Sequence, residues 1–165
     1  MIRAAGLALA LILAAPVALA DEAKPAAAPG GAQAISLTGV KAPAELWIES
    51  LKKLPAVTVA VSQQTDRGPV NARFTGALLW TVLDSAGWVN GAEKSSYLRH
   101  TIFATGKDGY VAALSEGEID PRLEGKQVIL AYEKDGQLLD SPRLVVPGDA
   151  HASRSVHDVV SIEVR

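Results

Sequence analysis

The chain has 165 residues and not one cysteine. That absence excludes a thiol nucleophile, a thiolate metal ligand, an iron–sulfur cluster and covalent c-type haem attachment. It also leaves the fold to stand on its core without disulfides. Basic blocks are missing too: Lys and Arg number 16 against 18 Asp and Glu, a formal net charge of −2. With no basic stripe interleaved with aromatics, nucleic acid is not an expected partner. There is no G-x-S-x-G elbow, so Ser62, Ser141, Ser153 and Ser155 lack a nucleophile's context. "GPVN" and "GKDGY" are turns rather than P-loops or dinucleotide fingerprints. No internal repeat is visible, and only residues 4–20 form a long apolar run.

That run follows Arg3, contains Pro16, and ends at Ala18-Leu19-Ala20 before the acidic Asp21. A positive start, an apolar stretch and a small-x-small site form the pattern of a secretory signal peptide, residues 1–20. The run is short for a bilayer span. No cysteine follows the site, which excludes a lipid-anchored form. Residues 21–33, with "KPAAAPGGAQ", read as a flexible linker. Residues 34–165 read as a single domain. The expected product is exported, periplasmic or secreted, with no membrane span once the signal is removed. Losing Arg3 tips the charge balance slightly further toward acid.

Local patterns place the elements. Residues 34–40 read as a strand and 43–55 as a helix, with Trp47, Leu51 and Leu54 on one face. Residues 56–62 are β-branched and read as a strand, 63–71 as a polar loop, and "ARF" as a short strand. Residues 75–87 read as a second helix closed by Gly87. After a polar loop at 90–96, strands at 98–105 and 110–114 flank a turn at 106–109. A helical turn begun by Ser115 covers 115–120. Strands follow at 127–133, 142–147 and 159–164. Strands dominate and the helices do not alternate with them. The class is α+β, a mixed, mainly antiparallel sheet folded into a barrel-like or sandwich core.

The chemistry concentrates in "RLVVPGDAHASRSVHD", residues 143–158. Asp149, His151, His157 and Asp158 fall within ten residues, yet their spacing matches no short metal motif. Neighbours in a strand point to opposite faces, which separates His157 from Asp158. His100 sits in a strand. Each histidine therefore reads as satisfied or solvated, and Glu116, Glu118 and Asp120 read as a solvated polar turn. Arg143 and Arg154 flank the Pro-Gly loop, where guanidinium forks and free backbone N–H groups suit a small anion.

An ordered set of motifs extends this reading. "FTGALLWTVLDSAG" (74–87), "ATGKDGYVAALSEGEID" (104–120), "VILAYEKDGQLL" (128–139) and "PRLVVPGDAHASRSVHDVVSIEV" (142–164) follow one another. The set resembles the oxidoreductase molybdopterin-binding domain family, the sulfite oxidase-like fold, over residues 56–165. The resemblance implies an oxo-molybdenum centre held by a pterin dithiolene and one protein cysteine. This chain has Ser62 or its neighbours in that place, without the following Gly-Asn. The family's loop Arg is matched by Arg154. His157 stands where a Lys is expected and Asp158 where a Trp is expected, and the family's His-Gly before "P-x-R-L" is missing.

The resemblance thus implies a reduced domain that keeps the scaffold and lacks the molybdenum thiolate. No cofactor is expected, with molybdopterin as the alternative. The expected partner is a small anionic ligand or pterin, or an envelope protein, at the loop end formed by 62–70 and 147–157. Arg143, Arg154, His157, Ser62 and Arg67 are the candidate site residues. Enzymatic activity is undecided, leaning against. If the chain is an enzyme, the resemblance implies a molybdopterin-dependent oxidoreductase with a non-Cys metal ligand. An accessory subunit of a membrane redox or sensor system is the other alternative.

Overall fold

The computed structural model describes residues 33–88 and 99–165. The stretch read as a signal peptide, nearly all of the expected linker and the expected loop at 90–96 lie outside the described residues. Among the described residues no helix is long and apolar enough to cross a membrane.

Two sheets form the frame. One has the order β2-β1-β9-β5-β6, built from β1 (Ile35–Thr38), β2 (Ala44–Leu46), β5 (Thr101–Gly106), β6 (Val111–Ser115) and β9 (Val159–Val164). The other has the order β3-β4-β7-β8, built from β3 (Ala56–Thr65), β4 (Gly68–Leu78), β7 (Ile129–Lys134) and β8 (Gln137–Val145). Every pairing is antiparallel except β1 with β9. Among the described residues three short α-helices complete the set: α1 (Ile48–Leu51), α2 (Leu79–Ser85) and α3 (Glu116–Ile119). The α+β class holds, in its sandwich form.

Strand alternation explains the core. Ile35 and Leu37, Ile102 and Ala104, Ile162 and Val164 turn one face of the larger sheet inward. They meet Ala77, Leu130, Tyr132 and Leu144 from the smaller sheet, with Leu79, Val82 and Leu83 of α2 closing the side. Their alternate neighbours on the smaller sheet, Val59, Val61, Phe74, Ala131 and Val145, form a second cluster on its other face. Strands with apolar residues on both faces are buried on both faces.

Three sequence expectations change. Residues 43–55 are not one helix. Ala44–Leu46 pair with β1, and only a single helical turn follows. Sheet pairing supplies the backbone bonds that an isolated first helical turn would leave unmade. Leu51 still faces the core, and Leu54 packs against it. Residues 63–71 are not a loop. β3 runs on to Thr65, and a two-residue turn, Asp66-Arg67, leads straight into β4. The polar side chains there do not prevent a ladder made by the backbone. Residues 75–87 are helical only from Leu79, because Thr75–Ala77 still pair with both β3 and β7 and Leu78 pairs with β7. Gly76 permits this: a Cβ there would come 2.2 Å from the Leu130 carbonyl oxygen. Ser115 does cap α3, in a capping box with Glu118.

Candidate site at the loop end of the smaller sheet

The end of β3, the β5–β6 turn and the segment between β8 and β9 converge. Gln64 N–H donates to the Ala150 carbonyl over 2.8 Å, and Gln64 and His151 form a parallel bridge. The Gln63 side chain is buried and donates to the Val146 carbonyl at 2.8 Å. Tyr110 Oη donates to the Ser153 carbonyl at 2.5 Å, which ties the β5–β6 turn to the 3-10 turn at Ala152–Arg154. Gly106 lets the backbones close up, since a Cβ there would sit 2.8 Å from the His157 carbonyl oxygen.

These segments enclose a cavity of about 550 Å³. Arg143 projects into it from β8, beside His157, and Ser155, Tyr110 and His151 complete that side. Asp66 and Asp108 stand on its wall. Arg143 is half-buried with its guanidinium carbon 5.2 Å from the Phe74 ring centroid, and its buried Nε has no hydrogen-bond partner among the described residues. Burial pulls the Arg143 pKa down, partly offset by Asp158. The guanidinium still stays charged. Ser155 is 8% exposed, and its Oγ also lacks a partner. An unsatisfied buried polar group costs about 1–3 kcal/mol. Both residues line the cavity. His157 is open to solvent on one side. The cavity wall lowers its pKa by desolvation, and the Arg143 charge lowers it further. Its ring is therefore mainly neutral near pH 7.

The other three nominated residues do not join this pair. Arg154 turns away from the cavity. Its Nε and Nη2 donate to the two Asp149 oxygens, each at 2.8 Å, and Nη1 donates to Glu118 at 2.7 Å. Lys126 lies 3.7 Å from Asp149 and 3.8 Å from Glu118. The Arg154 hydrogen bond is the main cause holding Asp149 below the usual carboxylate range. Burial pushes Glu118 up, but the same guanidinium outweighs it. Arg154 is thus a clamp between α3 and the Pro-Gly loop. Its fork is filled by carboxylates of its own chain. Ser62 faces the opposite side of the β3–β4 hairpin, because its neighbours Val61 and Gln63 point inward. It lines a separate open groove of about 930 Å³ with Asn71, Arg73 and Thr75. Arg67 is exposed in the hairpin turn and is not on the cavity wall.

The sequence reading missed Tyr110, Gln64 and Ser155 as cavity residues and Phe74 as the platform under Arg143. Of these only Tyr110 carried a local signal, its place after the Asp108-Gly109 turn.

The fold and site define a two-sheet α+β domain with a cavity at one loop end, lined by a guanidinium from the edge strand β8. No family model matches the sequence, and no curated protein matches it. Solved structures do share the fold. One is the crystal structure of the sulfane dehydrogenase SoxCD from Paracoccus pantotrophus, with a TM-score of 0.63 and 21% identity. The likeness covers 80% of this chain and 38% of that one. It is a likeness of fold, in line with the sulfite oxidase-like architecture implied by the motifs. The chain spans well under half the length of that neighbour.

The oxo-molybdenum centre implied by that architecture can be tested against the donors present. The sequence has no thiolate to offer. Ser62, at the corresponding place, faces the other side of its strand from Arg143. Among the described residues no three His, Asp or Glu side chains converge on one point. The donor set does not fit the metal.

Proposed function

We propose that this chain is an exported, periplasmic domain of the molybdopterin-binding fold that works by binding rather than by molybdenum redox chemistry. Its ligand is a small oxyanion or an anionic group of a larger molecule, held in the Arg143 cavity. One observation carries the reading: Arg143 enters the cavity with a buried Nε that no group among the described residues satisfies. A guanidinium presents two parallel donors to an oxyanion, and desolvation strengthens that bond. Ser155 Oγ supplies a further donor, and His157 a second positive charge once protonated. Asp66 and Asp108 disfavour a densely charged polyanion and suit a ligand with a single anionic head.

Calorimetric titration with inorganic phosphate, alongside native mass spectrometry of the purified protein, tests this reading. Saturable phosphate uptake or a retained anionic metabolite, lost in Arg143→Met, is the expected result. Uptake unchanged by Arg143→Met would end it. The likeness to a dehydrogenase supports a second reading, a molybdopterin-dependent oxidoreductase with a non-Cys ligand. Near-stoichiometric molybdenum and pterin in protein from a cofactor-producing host would favour that reading over the first.

A further inference from the structure

The two sheets end in edges of unequal exposure. β2 has three residues and β6 has five. The outer edge of β8 is covered at Leu144, which exchanges backbone bonds with Val156 at 2.9 and 3.1 Å. β3 has ten residues, Ala56–Thr65, and forms the other edge of the smaller sheet.

The hairpin fixes which of its backbone groups face outward. The two-residue turn makes Thr65 and Gly68 the closing bonded pair. Bonded and non-bonded pairs then alternate down the ladder. Gln63, Val61 and Val59 bond inward to β4, while Gln64, Ser62, Ala60 and Thr58 present N–H and C=O outward. The structure checks this parity twice. Gln64 N–H bonds outward to Ala150, and the Arg73 carbonyl, paired with Ala60, accepts from Asp135 N–H on the far side of β4. Below Gln64 the outward groups of Ser62, Ala60 and Thr58 have no backbone partner among the described residues.

Exposed edges are ordinarily blunted by a Lys, a Pro, a bulge or shortness. β3 has none of these. Its ten residues, "AVTVAVSQQT", carry no charge and no proline, and its pairing with β4 shows no register break. The exposed side chains along the edge are Thr58, Ala60 and Ser62, all small.

We propose that this edge pairs antiparallel with the same edge of a second copy, about a two-fold axis at Ala60. The edge is its own complement. The axis sets Ala60 against Ala60, Thr58 against Ser62 and Val59 against Val61, with no bulky or like-charged side chains opposed. Outward groups at 58, 60 and 62 would then form about six interchain backbone bonds. The cross-strand Val pairs extend the second apolar cluster across the axis. An uncharged strand without side-chain recognition groups offers a foreign peptide little to select, whereas symmetry supplies the register for a second copy. The contact is a strand pairing without a large core, so it belongs to the weak, reversible class, in the micromolar range or weaker. It is independent of the anion reading, because Arg143 lies on β8.

Sedimentation velocity over a concentration series reaching about 1 mM reads the association. The expected result is a monomer–dimer equilibrium. Ala60→Lys and Ala60→Pro should each weaken it by about tenfold or more. Ala60 N–H faces outward, so neither variant removes a bond within the sheet, and circular dichroism verifies the fold. The cysteine-free background allows a positional test. Ala60→Cys should oxidise readily to a disulfide-linked dimer, and Arg67→Cys, at the hairpin turn, should not. A wild type that stays monomeric throughout overturns the proposal. So does association that survives both Ala60 variants, or a dimer that Ala60→Cys fails to trap.

Discussion

Two arginines flank the same Pro-Gly loop and look alike in sequence, but the fold gives them opposite surroundings. Arg154 is surrounded by acceptors: three of its nitrogens reach Asp149 and Glu118 at 2.7–2.8 Å. Arg143 is packed over Phe74, with a buried nitrogen left over. A guanidinium whose partners are internal raises stability and offers a ligand little. One that is desolvated without partners lowers stability and keeps its donors free. On the proposed function, the difference separates a structural arginine of this loop from the one that binds.

The sharpest way to break that contrast is Arg143→Met. A charge-assisted hydrogen bond is worth about 1.5–3 kcal/mol, so phosphate affinity should fall by about ten- to a hundredfold in calorimetry. Stability should stay level or rise by up to about 1 kcal/mol in urea melts, since Met fills the space over Phe74 without a desolvated charge. A marked loss of stability with binding intact would reverse the roles assigned to the two arginines.

The reciprocal change is Arg154→Met. It leaves Asp149 and Glu118 facing each other with only Lys126 between them. Both are partly exposed, which discounts the loss to about 1–2 kcal/mol of unfolding free energy. Phosphate affinity should change by less than about threefold. The pH dependence gives a second handle. Asp149 and Glu118 have lowered pKa values in the fold, so their contribution is present above the ordinary carboxylate range and lost as pH falls through it, below about 4. In Arg154→Met that acid loss should shrink.

The two regions also part company at milder acidity. The His157 pKa is lowered by desolvation and then by Arg143, so the fold favours the neutral ring. Its contribution to stability is complete above the unfolded value of about 6.5 and declines as pH falls below it. A bound anion has the opposite preference and favours the protonated ring. Phosphate affinity should therefore rise as pH drops from 7.5 to 5.5, by about three- to tenfold, while the unliganded protein loses a little stability. His157→Gln should flatten both trends. A flat affinity profile in the wild type would remove His157 from the site.

Much of this frame was legible in the sequence. Period-two alternation marks Ile35 and Leu37, Ile102 and Ala104, Ile162 and Val164, and these are the residues that fill the core. β9 was read at its full extent. Legibility ended where backbone pairing overrode side-chain pattern. The polar residues 63–71 make a hairpin because ladder bonds require no apolar side chains. Residues 75–77 stay in β4 because strands flank them on both sides. The site was half legible. Arg143 and His157 could be nominated from their loop, but nothing local to Arg154 reveals that Glu118, distant in sequence, will meet it. Glu116 shows the same limit. It read as a solvated acid, yet it is 1% exposed and bonded to His100 Nδ1 at 2.8 Å. His100, just ahead of β5, supplies that partner.

The smallest expected effect tests the residue on which sequence position and side-chain geometry disagree most. By position Ser62 stands where a metal-ligating side chain would be sought. By geometry it is exposed on the far side of its strand from Arg143, in another groove. Its hydroxyl does not line the Arg143 cavity, and its backbone groups survive substitution. Ser62→Ala should therefore shift unfolding free energy by less than about 0.5 kcal/mol and leave phosphate affinity unchanged. The edge pairing of β3 should persist as well, because it uses the backbone. Loss of anion uptake in Ser62→Ala would mean that the two grooves communicate through Val61 and Gln63, and the division between a binding arginine and a structural one would then have to include β3.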